Sequence, residues 1–214
     1  MARILITSGP TRQYIDPVRY LSNASSGQMG RCLAEAALER GHDVVVVSGP
    51  VQLEYPKSCE VIPVVSTDDM LSVCQEIFPN CDGLIGAAAP CDYQPVEVAD
   101  HKIPKTGDTL VIKLVETPDV VAKLGSGKKP GQWTVGFALE TDDARFRAIT
   151  KLERKSCDLV VLNGVAAIDS SDNHVEIIAP GGQVLQIVQG SKSLVASSIL
   201  HLIQERLMQE SGRA

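Results

Sequence analysis

The segment from Gly9 to Gly30 carries side chains of the kinds that bind carboxylates and phosphates. Its candidates for that role are Arg12, Asp16, Arg19 and Asn23. Near its end, Ser25 and Gln28 have the spacing of a capping box, so a helix is predicted to begin around Ser26-Gly27. The first turn of a helix offers unpaired N–H groups and the positive end of a dipole. This helix start therefore predicts a phosphate or nucleotide site.

The alternative for the same segment is a capped helix after a loop without a function. The segment is much longer than the roughly two to six residues that usually join a strand to a helix. That length favours the binding role over the alternative.

A second candidate site is the run of small residues from Gly86 to Ala88, which is followed by Asp92. Small residues at the end of a strand let a flat ligand lie against the backbone, and Asp92 would hold a metal–phosphate complex or a ribose. The alternative is a tight contact between sheet and helix followed by an ordinary turn aspartate. From this stretch alone, both interpretations stay open.

Two groups of lysines are weaker candidates. Lys102-Ile103-Pro104-Lys105 lies in a polar stretch typical of a flap, where a lysine would close over a polyphosphate as a point charge. Lys151 and Lys155 are four residues apart, so on a helix they share one face about 6 Å apart along the axis. Exposed surface lysines, and cations that complement a helix dipole, are the alternatives, and the local sequence favours them.

Several function classes are excluded or disfavoured. The G-x-G-x-x-G fingerprint, a Gly-Lys-Ser/Thr phosphate loop and a Tyr-x-x-x-Lys pair are missing, which disfavours nicotinamide-dependent dehydrogenases and P-loop enzymes. The six cysteines form no Cys-x-x-Cys pair and the four histidines have no ligand spacing, which disfavours a zinc site. A net charge of −6 argues against nonspecific binding of nucleic acid. The start Met1-Ala2-Arg3-Ile4 is unlike a signal peptide and no apolar run reaches membrane-spanning length, so we expect a cytoplasmic protein without a membrane partner.

The elements that position these candidates follow from the pattern of apolar residues. Continuous apolar runs, typical of strands buried on both faces, are Arg3–Ser8, Asp43–Ser48, Glu60–Val65, Asp82–Ala88, Trp133–Ala138 and Asp158–Leu162. Helical patterns are Met29–Ala37 with a stop at Gly41, Asp68–Pro79, the basic stretch Asp142–Ser156, and Leu194–Leu207. The alternation predicts an α/β three-layer fold with a mostly parallel sheet and helices on both faces, in a single domain over residues 1–214. Ligands bind such sheets beyond the carboxyl ends of the strands.

Two segments interrupt this alternation. The flap segment Asp92–Asp108 leads into a predicted strand at Thr109–Val115, which would pair either with another chain or within its own hairpin. Val175–Ala179 and Val184–Val188, joined through Gly181-Gly182, predict a C-terminal β-hairpin before the last helix.

Taken in order, the candidate motifs resemble the phosphopantothenoylcysteine synthetase family. The resembling parts are TSGPTR and IDPVRYLSNASSGQMG within Thr7–Gly30, AAAPCDY at Ala87–Tyr93, KIPK at Lys102–Lys105, ETPDVV at Glu116–Val121, GFALET at Gly136–Thr141 and KLERKSCDLVVLN at Lys151–Asn163. They span nearly the whole chain, and the first is long and highly specific. Pro90 and Cys91 depart from the more usual AAAVADY, and Pro104 departs from the common KIKK.

The resemblance implies a Rossmann-like homodimer that joins 4′-phosphopantothenate to L-cysteine. The carboxylate would attack the α-phosphate of a nucleoside triphosphate, and the acyl-nucleotide would then react with the cysteine amine. The bacterial style of the motifs favours CTP, and an ATP-dependent ligase is the alternative. Mg2+ would accompany the triphosphate, with Asp92 as the candidate ligand, and FMN is not expected in this domain. A flavin-dependent decarboxylase, fused or separate, would be a partner.

The resemblance also implies roles for particular residues. Catalytic roles fall to Asn23 on the acyl-nucleotide, Lys102 in activation, and Arg19, which would reach the neighbouring subunit's phosphopantothenate. The nucleotide-binding set would be Gly9, Ser26, Gly27, Gly86, Ala87, Ala88, Asp92, Lys102, Pro118, Asp119, Val120, Val121, Phe137, Lys151 and Lys155. Because Asn23 closely precedes Ser25, its amide is expected to point into the space at the helix start. The rivals from other classes are a short-chain dehydrogenase and a nucleotide-binding protein without enzymatic activity.

Overall fold

The computed structural model describes residues 1–140, 142–164 and 172–208. The strands are β1 Arg3–Ser8, β2 Arg12–Tyr14, β3 Tyr20–Ser22, β4 Asp43–Ser48, β5 Glu60–Pro63, β6 Gly83–Gly86, β7 Tyr93–Pro95, β8 Leu114–Glu116, β9 Trp133–Leu139, β10 Leu159–Asn163, β11 Asp172–Ile178 and β12 Val184–Ser191. The helices are α1 Gln28–Glu39, α2 Thr67–Ile77, α3 Val120–Ser126, α4 Ala144–Arg154 and α5 Lys192–Ile203, which continues as a π-helical turn at Gln204–Met208.

One eight-stranded sheet organises the molecule, in the order β12-β11-β10-β9-β6-β1-β4-β5. Six of its strands, β10, β9, β6, β1, β4 and β5, run parallel to one another. Strand β11 pairs antiparallel with β10 and with β12. From β1 the chain first builds outward through β4 and β5, and then returns to β6 on the other side. This change of direction is the topological switch point where ligands bind in such sheets. The predicted α/β fold with a mostly parallel sheet is confirmed, as is the hairpin before the last helix.

Both faces of the sheet are covered, because alternate residues of each strand enter different cores. Ile4 and Ile6 of β1 pack in the cluster that holds α1 and α5, whereas Leu5 packs in the cluster with α2 and α3. On β10, Val160 and Leu162 pack with α4, again on the side opposite α5. Two-sided burial explains why these strands are continuously apolar rather than alternating. The three-layer arrangement follows from it.

Two small antiparallel sheets lie outside the main one, formed by β2 with β3 and by β7 with β8. The predicted strand Thr109–Val115 is mostly wrong, because only Leu114–Glu116 forms a strand, and it pairs with β7 of the same chain. The preceding apolar residues Leu110 and Val111 are 54% and 78% exposed, so their apolar character does not reflect burial in a sheet. Among the described helices, none is long and apolar enough to cross a membrane.

Candidate active site

A cleft of about 460 Å³ opens past the carboxyl ends of β1, β6 and β9, at the switch point of the sheet. We call it the first cleft. Its lining residues are Thr7, Gly86, Ala88, Pro90, Cys91, Asp92, Tyr93, Glu116, Thr117, Pro118, Asp119, Val120, Val121, Ala122, Phe137, Arg154 and Lys155. Segments that are far apart in the sequence thus meet at one site. Most of the predicted nucleotide-binding residues are among them.

The end of β6 forms the floor of the first cleft. A Cβ atom on Gly86 would lie 2.5 Å from Cγ2 of Val121, so a larger residue does not fit. The strand ends at Gly86 rather than at the predicted Ala88. The Ala87 N–H donates to the Thr7 carbonyl of β1 at 3.1 Å and also to the Ile85 carbonyl at 3.2 Å, which is a local turn contact. Ala88 lines the cleft, whereas Ala87 packs against the core between the sheet and α1.

One wall of the first cleft is the start of α3, where Asp119 makes three polar contacts. One carboxylate oxygen caps the helix by accepting from the Ala122 N–H at 3.1 Å. The other lies 3.2 Å from Nζ of Lys155 and 3.4 Å from Nη2 of Arg154. Asp119 therefore holds two cations at the mouth of the cleft.

The two predicted lysines do not act as one pair. Lys151 forms an ion pair with the buried Glu140, and it is not in the lining of the first cleft. Lys155 follows the last residue of α4 and turns to Asp119, because the helix ends at Arg154. The Lys155 N–H still donates to the Lys151 carbonyl at 2.9 Å, so the two lysines are one helical turn apart as predicted. Their side chains bind different carboxylates, and Arg154 rather than Lys151 lines the first cleft.

Asn23 links the loop before α1 to the rim of the first cleft. Its Nδ2 donates to the carbonyl of Pro90 at 2.9 Å and to that of Ala89 at 3.3 Å. The expected direction of the amide, toward the helix start, is wrong, because these two carbonyls take its donors. The departure from the family motif at Pro90 thus lies directly against Asn23.

A second cleft, of about 580 Å³, lies at the start of α1. It is lined by Arg12, Ser25, Ser26, Gln28, Arg31, Pro50, Val51, Gln52 and Leu53. Of the predicted nucleotide-binding residues, only Ser26 lines this cleft.

The predicted capping box at the start of α1 is wrong. Gly27, with a φ of 77°, precedes the helix, and no side chain caps it. Cβ atoms on Gly9 and Gly27 would lie 2.8 and 2.9 Å from Cγ1 of Val51, and both glycines have positive φ. These two glycines are needed for backbone conformation and for packing on Val51.

Asp16 fastens the flap segment to the loop before α1. Its buried carboxylate accepts from the N–H groups of Val18 and Arg19, from the Arg19 guanidinium at 2.6 and 2.9 Å, and from the Ile103 N–H at 3.2 Å. Arg19 also donates to the Ile103 carbonyl at 2.6 Å. Burial opposes ionisation of Asp16, but the hydrogen bonds outweigh it and hold its pKa well below the usual range.

The contacts of Asp16 determine the positions of two predicted catalytic residues, Arg19 and Lys102. Arg19 is held within its own subunit, and about two fifths of its side chain stays exposed. Lys102 is exposed beside the fastened Ile103, and it is not in the lining of either cleft.

The candidate metal ligand Asp92 is exposed at the edge of the first cleft. No group of three or more His, Cys, Asp or Glu side chains in the described part of the chain is arranged to hold a metal ion. Asp92 shares the lining of the first cleft with two other carboxylates, Glu116 and Asp119, but among the described residues they do not form a complete metal site.

Several lining residues were not singled out from the sequence, among them Thr7, Glu116, Thr117 and Arg154. Glu116 and Thr117 belong to the ETPDVV motif, and Arg154 precedes Lys155, so the motifs contained the signal. Thr141, the last residue of GFALET, lies outside the described residues.

The family model of the DNA/pantothenate metabolism flavoprotein C-terminal domain matches residues 1–207. The chain belongs to this family. The coenzyme A biosynthesis bifunctional protein CoaBC of Vibrio cholerae is 41% identical over 211 residues, which cover 96% of this chain and 53% of that protein. The protein of the same name from Bacillus subtilis is 39% identical over 216 residues, which cover 99% of this chain and 53% of that protein. The chain thus spans about half the length of these curated relatives.

Solved structures agree with this membership. The C-terminal domain of a coenzyme A biosynthesis bifunctional protein CoaBC superposes with a TM-score of 0.81 at 36% identity, over 97% of this chain and 96% of that chain. A Cab2 mutant in complex with phosphopantothenate-cysteine superposes with a TM-score of 0.83 at 17% identity, over 97% and 86% of the two chains, and so shares the fold. The family resemblance predicted from the motifs is confirmed.

Proposed function

We propose that the chain is a phosphopantothenate–cysteine ligase that binds its nucleotide in the first cleft. The observation that carries the proposal is the meeting of five motif segments at the switch point of the sheet, with Asn23 attached to their rim. Small residues at the end of β6 give a flat surface for a nucleotide, and Arg154 and Lys155 offer charge for its phosphates. The names of the relatives, from coenzyme A biosynthesis, support the same substrates.

In the first step, the carboxylate of 4′-phosphopantothenate attacks the α-phosphate, and pyrophosphate leaves. Both reactants are anionic, so Arg154, Lys155 and the flap residue Lys102 offset their repulsion as negative charge develops. In the second step, the cysteine amine attacks the acyl carbon, and the nucleoside monophosphate leaves. We assign Asn23 to this step, since its amide lies at the rim between the two clefts. Holding the reactants in line supplies much of the acceleration.

Mg2+ fits this site as an ion carried by the triphosphate. Magnesium commonly binds through one or two carboxylates together with substrate phosphates, and Asp92 is exposed at the edge of the cleft to serve as that carboxylate. Its chemistry would be to neutralise charge on the phosphates. Arg154 and Lys155 would bind the remaining phosphate oxygens.

The second cleft suits a second anionic group of the reactants. Arg12 and Arg31 line this space, Ser25 and Ser26 add hydroxyls, and α1 begins beside them at Gln28. Asn23 precedes these serines by two and three residues and contacts Pro90 at the first cleft, so it joins the two sites. We propose that one substrate extends from the first cleft to the second.

CTP is the proposed nucleotide, on the bacterial style of the motifs, with ATP as the alternative. The test is a pyrophosphate-release assay with phosphopantothenate, cysteine and each of the four nucleoside triphosphates. We expect the highest kcat/KM with CTP, and an equal or higher value with ATP would overturn that choice. Nucleotide binding without pyrophosphate release from any of the four would reject the ligase and favour a binding protein without enzymatic activity.

A homodimer is the proposed assembly. Exposed apolar side chains concentrate on the two small sheets and the segments beside them: Tyr14, Val18, Tyr20, Tyr93, Val96, Val98, Leu110, Val111, Leu114 and Val115. We call this the strap surface. It adjoins the flap segment, since the Ala99 N–H donates to the Ile15 carbonyl at 3.0 Å. A second copy on this surface would bring Arg19 near the neighbouring active site.

A flavin-dependent decarboxylase, fused or separate, would consume the product in the cytoplasm.

A further inference from the structure

Three buried groups behind the first cleft form a closed ring of hydrogen bonds. The Cys91 N–H donates to Oγ1 of Thr11 at 2.8 Å. The hydroxyls of Thr11 and Thr67 are 2.9 Å apart, and Oγ1 of Thr67 donates to the Cys91 carbonyl at 3.2 Å. Both threonine side chains are completely buried. The ring therefore lies out of contact with solvent.

The direction of every bond in the ring follows from the number of protons available. A threonine hydroxyl has one proton to donate, and that of Thr67 goes to the Cys91 carbonyl. The Thr11 hydroxyl must then be the donor to Thr67, while it accepts from the Cys91 N–H. Each member donates once and accepts once within the ring. Because chained hydrogen bonds in a dry interior strengthen one another, losing one member weakens the rest.

The ring joins three elements that do not otherwise share a strand or helix. Thr11 precedes β2, Thr67 is the first residue of α2, and Cys91 belongs to the rim of the first cleft. The Cys91 carbonyl accepts a second bond, from Oγ1 of Thr117 in the opposite wall. The adjacent Pro90 carbonyl is the one that receives Asn23.

We propose that Thr67 is a positioning residue for the nucleotide cleft, acting through Cys91 on the rim that holds Asn23 and Asp92. The inference rests on the proposed function of that cleft. Thr67 is not in the lining of either cleft, so its effect on a nucleotide is transmitted through the ring. The Thr67 hydroxyl fixes the position of the Cys91 peptide relative to α2. It thereby sets the orientation of Pro90, whose carbonyl accepts from Asn23, and of Asp92.

The test compares Thr67→Val with Thr67→Ser in the 214-residue chain. Valine keeps the branched shape and removes the hydroxyl, whereas serine keeps the hydroxyl. Neither change touches the capping box between Ser66 and Asp69 that starts α2. The control is Ser197→Ala: the Ser197 hydroxyl accepts from the Arg40 guanidinium at 2.9 Å and lies on α5, which packs on the face of the sheet opposite α3 and lines neither cleft.

We expect Thr67→Val to raise the nucleotide KM and the nucleotide dissociation constant by about tenfold, the size of one lost buried hydrogen bond. Thr67→Ser should stay within about twofold of the original chain. Ser197→Ala should lower the melting temperature and leave both constants unchanged. If Thr67→Val lowers the melting temperature with unchanged nucleotide constants, Thr67 is only structural and the inference is overturned.

The proposed function and the ring are separable in this experiment. An unmodified chain that binds nucleotide but releases no pyrophosphate rejects the ligase, while the dissociation constants of the variants still decide the role of Thr67. An unmodified chain that binds no nucleotide at all overturns both.

Discussion

At the scale of single residues, Asn23 is the clearest case of a side chain chosen for its donors. Aspartate at this position has the same size but no N–H, so it would face the Ala89 and Pro90 carbonyls with negative charge. We expect the Asn23→Asp variant to keep its fold. The activation barrier of its ligation step with cysteine should rise by about 2–4 kcal/mol, comparable to the loss of an oxyanion-hole donor. Acyl-nucleotide should accumulate, which mass spectrometry of quenched reactions would detect.

Asn80→Asp is the matched control for this change. It adds the same charge at an exposed asparagine just before β6, on the side of the sheet where the strands begin. The first cleft lies on the side where the strands end, so this variant should not affect turnover. Ligation at the original rate in Asn23→Asp would remove Asn23 from the mechanism. Failure to form any acyl-nucleotide would move it to the first step.

Lys102 owes its position to its neighbour. The N–H and carbonyl of Ile103 are held by Asp16 and Arg19, which keeps the flap segment near the loop that carries Asn23. Lys102 is exposed and lines neither cleft, so we expect its charge to meet the triphosphate only when the flap segment closes. We expect that contact to strengthen as the α-phosphate is attacked. We expect Lys102→Gln to lower kcat more than it weakens nucleotide binding.

Single-turnover formation of acyl-nucleotide measures that step directly. Lys57→Gln removes the same charge from an exposed turn outside both clefts, and its rates should match those of the unmodified chain. Normal acyl-nucleotide formation in Lys102→Gln would contradict the assignment.

At the scale of elements, Asp16 decides whether the flap segment stays fastened. Both of its oxygens accept from N–H donors, and an asparagine would turn an NH2 group toward one set of them. We expect Asp16→Asn to speed hydrogen exchange in residues 100–106 while the main sheet keeps its protection. Asp68→Asn, on the exposed first turn of α2, is the control. Unchanged exchange in the flap segment would show that other contacts hold it.

The same carboxylate predicts a pH dependence with a definite sign. The pKa of Asp16 is lower in the folded chain than its ordinary value of 3.8, so the unfolded chain binds the proton more readily. Its contribution is fully present at neutral pH and is lost as the pH falls below about 3.8 toward the folded pKa. The free energy of unfolding, measured by denaturant titration, should therefore fall less steeply with acid in Asp16→Asn than in the unmodified chain.

The central strands were predictable because burial on both faces leaves long apolar runs, as in Val44–Val47 of β4. The strands β2 and β7 were not, since each has three residues and polar side chains, and each exists only through pairing with a later segment. Helix α3 has seven residues, too few for a helical period to show.

The candidate site divides in the same way. The motifs correctly indicated several segments that gather at the first cleft, because a parallel sheet brings strand ends together. They wrongly placed Lys102, Ser26 and Gly27 with them, since none of these residues lines that cleft. They did not indicate which carboxylate each cation meets. Lys151 and Lys155 go to Glu140 and Asp119, which come from different elements, and only the packed structure makes that choice.

At the scale of the whole molecule, the strap surface predicts the oligomeric state. We expect a dimer in analytical ultracentrifugation at micromolar concentration, because large exposed apolar areas usually mark an interface. Val111→Glu, at a side chain that is 78% exposed, should give monomers with reduced turnover. Ile187→Glu, at a 55% exposed side chain on β12, should remain dimeric. A fully active monomer of the unmodified chain would contradict the interface.

The contact of Asp119 with Arg154 and Lys155 has a kinetic consequence. Asp119 pairs with both cations before a nucleotide arrives, and the lining of the first cleft holds three carboxylates, Asp92, Glu116 and Asp119, against these two cations. The chain as a whole carries a charge of −6. A nucleoside triphosphate therefore approaches the cleft against a weak electrostatic repulsion, and the charges of the protein do not accelerate its approach from a distance. Added salt screens that repulsion, so the rate of nucleotide capture should hold steady or rise with ionic strength. Asp119 thus acts as an internal counter-ion, displaced only by a nucleotide that has already reached the cleft.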